Sequence, residues 1–422
     1  MREPVTGLTA ATFSFHRFFG PSSCLSDVFI LSHIETIKEL LQVLPVIHMQ
    51  IGGVDLSQFS WLLNILWVAF IVIFSLYGAK IQVWQWLKQI ESGLYELKQM
   101  SIESRESAIS TFKQYGKTEA EIAKGIDRWL DFFTIMPVDL DPAGVLKRLD
   151  HLLDDRRERF QEFVRELAPN ATTSVYQNLE NTMEVTQVLS LIFRVVRHFY
   201  LLGKKTGSQI MIMQIQMQMP DLLRMAKAYF DSVEAFTDGK PIGDGIGALV
   251  VTKFARKYGV GPDAYVNEIG REVGYYPVQA EGRTVYVLRA TGPGGTVGKP
   301  GFAVKTLVEQ NNGEIKRIIT VDAALKLEGE ELGRISEGAG AAIGDPGPEK
   351  HAIEETATQN GIALEAFVIK EDESAAIGVM QKKVLESIPE VIDRIKEAIL
   401  KRTRPGDKIV LAGIGNTMGI GL

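Results

Sequence analysis

The hydropathy of the chain changes character along its length. Residues 56–79 contain no charged side chain, and 61–79 reads WLLNILWVAFIVIFSLYGA, close to the roughly 20 apolar residues that cross a bilayer as one helix. The pattern predicts a transmembrane helix over 56–80. Trp61 lies near one end of the run, and Tyr77, Trp84 and Trp86 lie near the other, where amphipathic rings rest at the headgroups. Lys80, Lys88 and Lys98 follow the run, and the twenty residues before it carry no Lys or Arg. The positive-inside rule therefore predicts a single pass through the cell membrane with the C-terminal body in the cytoplasm. A buried core helix would be shorter and less uniformly apolar. A cleaved signal peptide would start nearer the N-terminus with a shorter apolar core.

After the span, residues 81–238 read as an all-α region, rich in strong helix formers with few internal glycines. Ile90, Leu94 and Leu97 form one apolar stripe, which predicts a docked helix. Thr118 with Glu121 makes a capping box, and Asp141-Pro142 supplies an N-cap and an N1 proline for the next helix. Residues 193–202 carry Arg194, Arg197 and His198, too much charge for a second span but suited to packing or the membrane surface. Residues 210–219, IMIMQIQMQM, alternate like a strand, yet Met and Gln favour a helix, and Pro220 is expected to open a separate helical run. Residues 1–55 form an N-terminal extension without visible chemistry, and Met49 opens a compact leader at which translation is expected to begin.

From residue 239 to 422 the pattern changes to Gly-rich loops, short β-branched runs and intervening helices, which predicts an α/β domain with a mostly parallel sheet. Strands are expected at 284–288, 317–321, 364–369 and 408–411, and helices at 246–258, 302–310, 350–359 and 388–402.

Charge and cysteine content narrow the function. The 52 acidic and 46 basic residues are spread along the chain and leave a net charge of -6, which argues against a nucleic-acid partner. A single cysteine, Cys24, excludes an internal disulfide framework, a Cys-rich zinc site and an iron–sulfur cluster.

In open α/β sheets, ligands gather beyond the C-terminal ends of strands, and the candidate residues fall there. Asp322 ends the strand IKRIITVDA. Gly294, Gly295, Thr296 and Gly298 follow TVYVL, and Gly413, Gly415, Asn416 and Thr417 follow KIVLA. Asp244, flanked by Gly243 and Gly245, starts the next helix, and His351, the only histidine of this half, opens the helix HAIEETATQNG. Each has a plainer reading: a helix cap for Asp244, a turn hydrogen bond for Asp322, an exposed helix position for His351 and tight turns for the glycines. Neither Gly-rich segment matches the dinucleotide fingerprint or the Walker spacing, so no nucleotide is expected.

Placed ahead of residue 241, the C-terminal strand yields the order KIVLAGIGNTMGIG, PIGDGIG, VYVLRATGPGGTVG, IKRIITVDA, His351 with its helix, then ALEAFVIKEDES. That order resembles the hydrogenase maturation endopeptidases, with the first strand moved to the end as in a circular permutation. The resemblance covers roughly 180 residues, about one domain. It implies a permuted phosphorylase/hydrolase-like fold and a divalent metal, nickel or zinc, held by Asp244, Asp322 and His351. Two carboxylates and an imidazole suit an open metal site that polarises a carbonyl or activates water. The whole chain is also similar to an archaeal family of membrane-anchored proteins with a domain of unknown function.

Two kinds of function follow. One is a metal-dependent, peptidase-like hydrolase tethered to the inner face of the membrane. The other is a non-catalytic tethered scaffold or a small-ligand or anion-binding module, whose partners beyond the lipid bilayer are a membrane protein or a second copy bound through the helical region.

Overall fold

The computed structural model of the chain describes residues 50–51, 54–55, 60–137, 142–261, 266–344 and 347–421. The expected start at Met49 and the capping residue Asp141 lie outside the described residues. Two compact units share the chain: one takes 94–197 and 220–422, the other 198–219 with residues up to Gly93.

After a short antiparallel pairing of Gln50–Ile51 with Val54–Asp55, the region 60–238 is helical: α1 (Ser60–Phe112), α2 (Glu119–Leu130), α3 (Pro142–Leu167), α4 (Thr173–Thr206) and α5 (Gln209–Asp238). The apolar run lies in α1, where Ile65, Leu66, Trp67 and Phe70 are all more than half exposed. Residues 65–72 and 77–115, bent by 45° to one another, are together long and apolar enough to cross a membrane. By length and composition α4 passes the same test, although 44% of its apolar window is buried inside the protein. Charge alone had argued against a second span in that stretch. The burial gives a stronger reason, because a core helix shows the same composition.

In the smaller unit, the Tyr200 hydroxyl donates to Glu91, Lys204 Nζ donates to Tyr200 at 3.0 Å, and Gln216 donates to Gln89 at 3.0 Å. The Met-rich run is helical. Ile212, Ile215 and Met219 are buried while Met217 is exposed, so helical spacing overrides the period-two alternation. The helix continues through Pro220 rather than restarting there, which corrects the expected break. In the larger unit, Thr118 and Glu121 form the expected capping box. Trp129 stacks on Phe132, Phe160 and Phe163 at centroid distances of 4.4, 4.7 and 4.8 Å, anchoring α2 to α3 with large aromatic burial.

The C-terminal domain is built on seven strands: β1 (Asn267–Gly270), β2 (Val273–Ala280), β3 (Arg283–Ala290), β4 (Ile315–Leu325), β5 (Ile335–Ala339), β6 (Ala363–Glu371) and β7 (Lys408–Gly413). Their order is β1-β2-β3-β7-β4-β6-β5. The central ladders β3–β7, β7–β4 and β4–β6 are parallel, and the outer ladders β1–β2, β2–β3 and β6–β5 are antiparallel. The sheet is therefore mixed, not mostly parallel as expected. The correction comes from two hairpins whose loops, Arg271-Glu272 and Glu281-Gly282, have positive φ at both positions, the geometry of tight antiparallel turns. Pro277 lies beyond Tyr275, the last β2 residue paired with β1 among those described, and proline is tolerated at such an edge.

Helices α6 (Ile246–Lys257) and α11 (Ile388–Arg402) cover one face over Val285, Val287, Ile319, Val321, Ile409 and Leu411. Helices α7 (Pro300–Gln310) and α8 (Pro348–Gln359) cover the other over Leu288, Ile318 and Val410. Alternate residues of the central strands feed opposite cores, which is why these segments read as continuous apolar runs. Two short helices, α9 (Glu373–Ile377) and α10 (Lys382–Glu386), link β6 to α11.

Candidate functional site

Strand β7 enters the middle of the sheet last, and its exit turn packs on the entry to α6. The Ile414 N–H donates to Val321 O at 2.8 Å, and the Asn416 N–H donates to Asp244 Oδ2 at 3.0 Å. A Cβ on Gly419 would meet Gly239 and Pro241, so the end of the chain adjoins the segment that leads into α6. Gly415 has φ of 118°, and a Cβ there would run into the Asp244 carbonyl; one on Gly247 would run into the carbonyls of Val321 and Ile414. The glycines of GDGIG and GIGN thus let two backbones touch, and Asp244 ties them together without capping α6.

The turn after β3 has a different task. The Gly295 N–H donates to Asn178 Oδ1 at 3.1 Å, Asn181 Nδ2 donates to Gly295 O at 2.9 Å, and a Cβ on Gly294 would strike Gln177. The Gly298 N–H donates to Thr296 Oγ1, and Thr417 bonds back to Gly294 and Thr296. These groups dock the turn on α4 and on the β7 exit turn, so its glycines serve contact between chain segments. Nearby, Lys299 reaches Asp150 at 2.7 Å and also Asp154, while Arg271 reaches Asp154 at 2.8 Å. Burial tends to raise the Asp154 carboxyl, but the hydrogen bonds from Lys299 and Arg271 outweigh it and hold it low. Lys299→Ala leaves two half-buried aspartates without their shared cation and should cost about 1–3 kcal/mol. Faster amide exchange along α3 is the expected readout, and unchanged exchange would count against this anchor.

The carboxyls at the strand ends are a separate group. Asp322 on β4 is 1% exposed and Glu371 at the end of the adjacent β6 is 1% exposed, with Asp244 at 7%. Asp322 Oδ1 accepts the Ala323 N–H at 2.8 Å, whereas among the described residues neither oxygen of Glu371 has a hydrogen-bond partner. Burial pushes Asp244 up to about 6 against the Asn416 N–H. Burial, then the charge of Asp244, holds Asp322 well above the usual range. Burial, then Asp244 and Asp372, carries Glu371 up to about 8. Glu371 is the group that sequence reasoning missed, although the rule that singled out Asp322, an acid ending a central strand, applies to it equally.

His351 does not join them. It lies in the first turn of α8, half exposed, with its imidazole 3.9 Å from Glu355. Among the described residues, no three or more His, Cys, Asp or Glu side chains form a group that could hold a metal ion. Asp244 and Asp322 are thus brought into electrostatic contact with each other and with Glu371, and the donors implied for nickel or zinc are not gathered at one point. The residues present do not fit the implied metal as a ready-made site, and no chemical step is assigned to it.

A model of the DUF1512 N-terminal domain, a protein of unknown function, matches residues 64–239, and a model of the DUF1512 C-terminal domain, a domain of unknown function, matches 242–421. No curated protein and no solved structure matches the chain.

Proposed function

This chain belongs to the DUF1512 family, and we propose that its α/β domain is a hydrolase-type enzyme domain working by carboxyl acid–base chemistry. The observation that carries the reading is the shared burial of Asp244 and Glu371, 7% and 1% exposed and within electrostatic reach of one another, which pushes their carboxyls up to about 6 and about 8. At pH 7 the first is ionised and the second protonated. A base and an acid on one site, split by their surroundings, is the arrangement that general acid–base hydrolysis requires. Asp322, held above the usual range by burial and by the charge of Asp244, is the third carboxyl of the group. The resemblance of the motif order to that of hydrogenase maturation endopeptidases is what suggests a peptidase-like substrate. The exposed apolar stretch of α1 supports a single-pass tether to the cell membrane, with the domain on the cytoplasmic side.

The test is hydrolysis of a panel of fluorogenic peptides and activated esters by the full chain in detergent. Activity should peak between limbs near pH 6 and pH 8 and fall by about 100-fold or more in Asp244→Asn and Glu371→Gln. Activity that survives both substitutions, or is flat from acid to alkaline pH, overturns the reading. The burial of all three carboxyls favours a second, non-catalytic reading, in which the cluster stores protons and the domain binds a ligand. In that case the panel stays silent while the carboxyls still titrate apart.

A further inference from the structure

A second feature lies apart from the carboxyls. At the junction of the β2–β3 hairpin and the C-terminal turn is a small cavity of about 220 Å³, lined by Val266, Tyr276, Arg289, Ala290, Pro293 and Gly421 among others. Tyr276 and Arg289 project from neighbouring strands and are 4% exposed each. Arg289 Nη1 donates to the Ile420 carbonyl at 3.2 Å, and among the described residues its Nε and the Tyr276 hydroxyl make no well-formed hydrogen bond, although the two side chains are near enough to act on each other. Among the described residues no carboxylate acts on the charge of Arg289, whose electrostatic neighbours are Tyr276 and Arg256.

We infer that this cavity binds a small monocarboxylate, its two oxygens on the Arg289 guanidinium and the Tyr276 hydroxyl and its short apolar tail against Val266, Ala290 and Pro293. A buried cation without a counter-charge is costly, and an anion matched to the planar fork of arginine removes that cost. Burial already presses the guanidinium towards its neutral form, with only Tyr276 opposing. The cavity is smaller than the roughly 300 Å³ at which drug-sized pockets begin, which limits the ligand to a few carbon atoms. A phosphate dianion would bring more charge than one arginine offsets and would meet apolar walls where it needs donors.

The experiment follows thermal unfolding of the full chain in detergent while acetate, propionate or inorganic phosphate replaces chloride at constant ionic strength. Wild type should be stabilised saturably by acetate and propionate. In Tyr276→Phe, which keeps the ring, the midpoint of that response should move to higher concentration by about tenfold, and in Arg289→Met the response should vanish. Should Arg289→Met fail to fold, Tyr276→Phe still decides the matter. The absence of any carboxylate response in wild type would mean that the chain supplies its own counter-charge, and overturns the inference. So does a response equal in wild type and Tyr276→Phe, or one confined to phosphate.

Discussion

Glu371→Gln should lose much less stability than wild type between pH 5 and pH 9. A carboxyl whose folded pKa is raised contributes stability that is fully present below its unfolded pKa and is lost as pH climbs through the folded one. For Glu371 that window runs from the ordinary glutamate value of 4.5 to about 8. Over it the folded chain holds a proton that the unfolded chain has released, so alkaline conditions favour unfolding. Glutamine cannot ionise, and the variant escapes this loss, which is on the order of 3 kcal/mol or more. Urea unfolding at the two pH values checks it. Comparing the variant with wild type at both cancels any pH-independent effect of the amide. A parallel decline in the two proteins would show that Glu371 does not carry the proton.

Gly415→Ala should prevent the α/β domain from closing. The residue has φ of 118°, a region alanine avoids, and the added methyl would meet the Asp244 backbone rather than a side chain that can swing away. Gly247→Ala meets two carbonyls at once. Neither backbone can retreat without opening the β7–β4 ladder or lifting α6. The expected cost exceeds the roughly 1–3 kcal/mol of ordinary overpacking, and the two variants should show the same loss of near-ultraviolet circular dichroism. Native-like spectra with unchanged unfolding would contradict the interlocked packing of the GDGIG and GIGN segments.

Much of the architecture was legible along the chain, for physical reasons. Strands β3, β4, β6 and β7 announce themselves because both of their faces are buried, and α6, α7, α8 and α11 because each carries an apolar stripe. Strands β1, β2 and β5 did not, since Gly274 and Pro277 interrupt β2 and β5 reads ISEGA, half polar. The pairing of β1 and β2 is fixed by hairpin turns without the usual Asn-Gly signal, and β5 pairs with β6 only across the intervening α8. Asp244 and Asp322 were found because a strand end or helix start marks them. Glu371 sits in the charged run IKEDES, which reads as a solvated face, and only the chain passing over it buries it. For His351 the resemblance implied a ligand and the helix position by itself an exposed residue, and the fold leaves it half exposed beside Glu355.

The account rests on a proton held by Glu371 at neutral pH beside an ionised Asp244. Infrared spectroscopy of the full chain, with the protonated-carboxyl band assigned through Glu371→Gln, measures this directly. The prediction is a protonated band at pH 7 that is missing in the variant and disappears from wild type as pH passes about 8. A spectrum in which every carboxyl is already ionised at pH 7 would contradict the account.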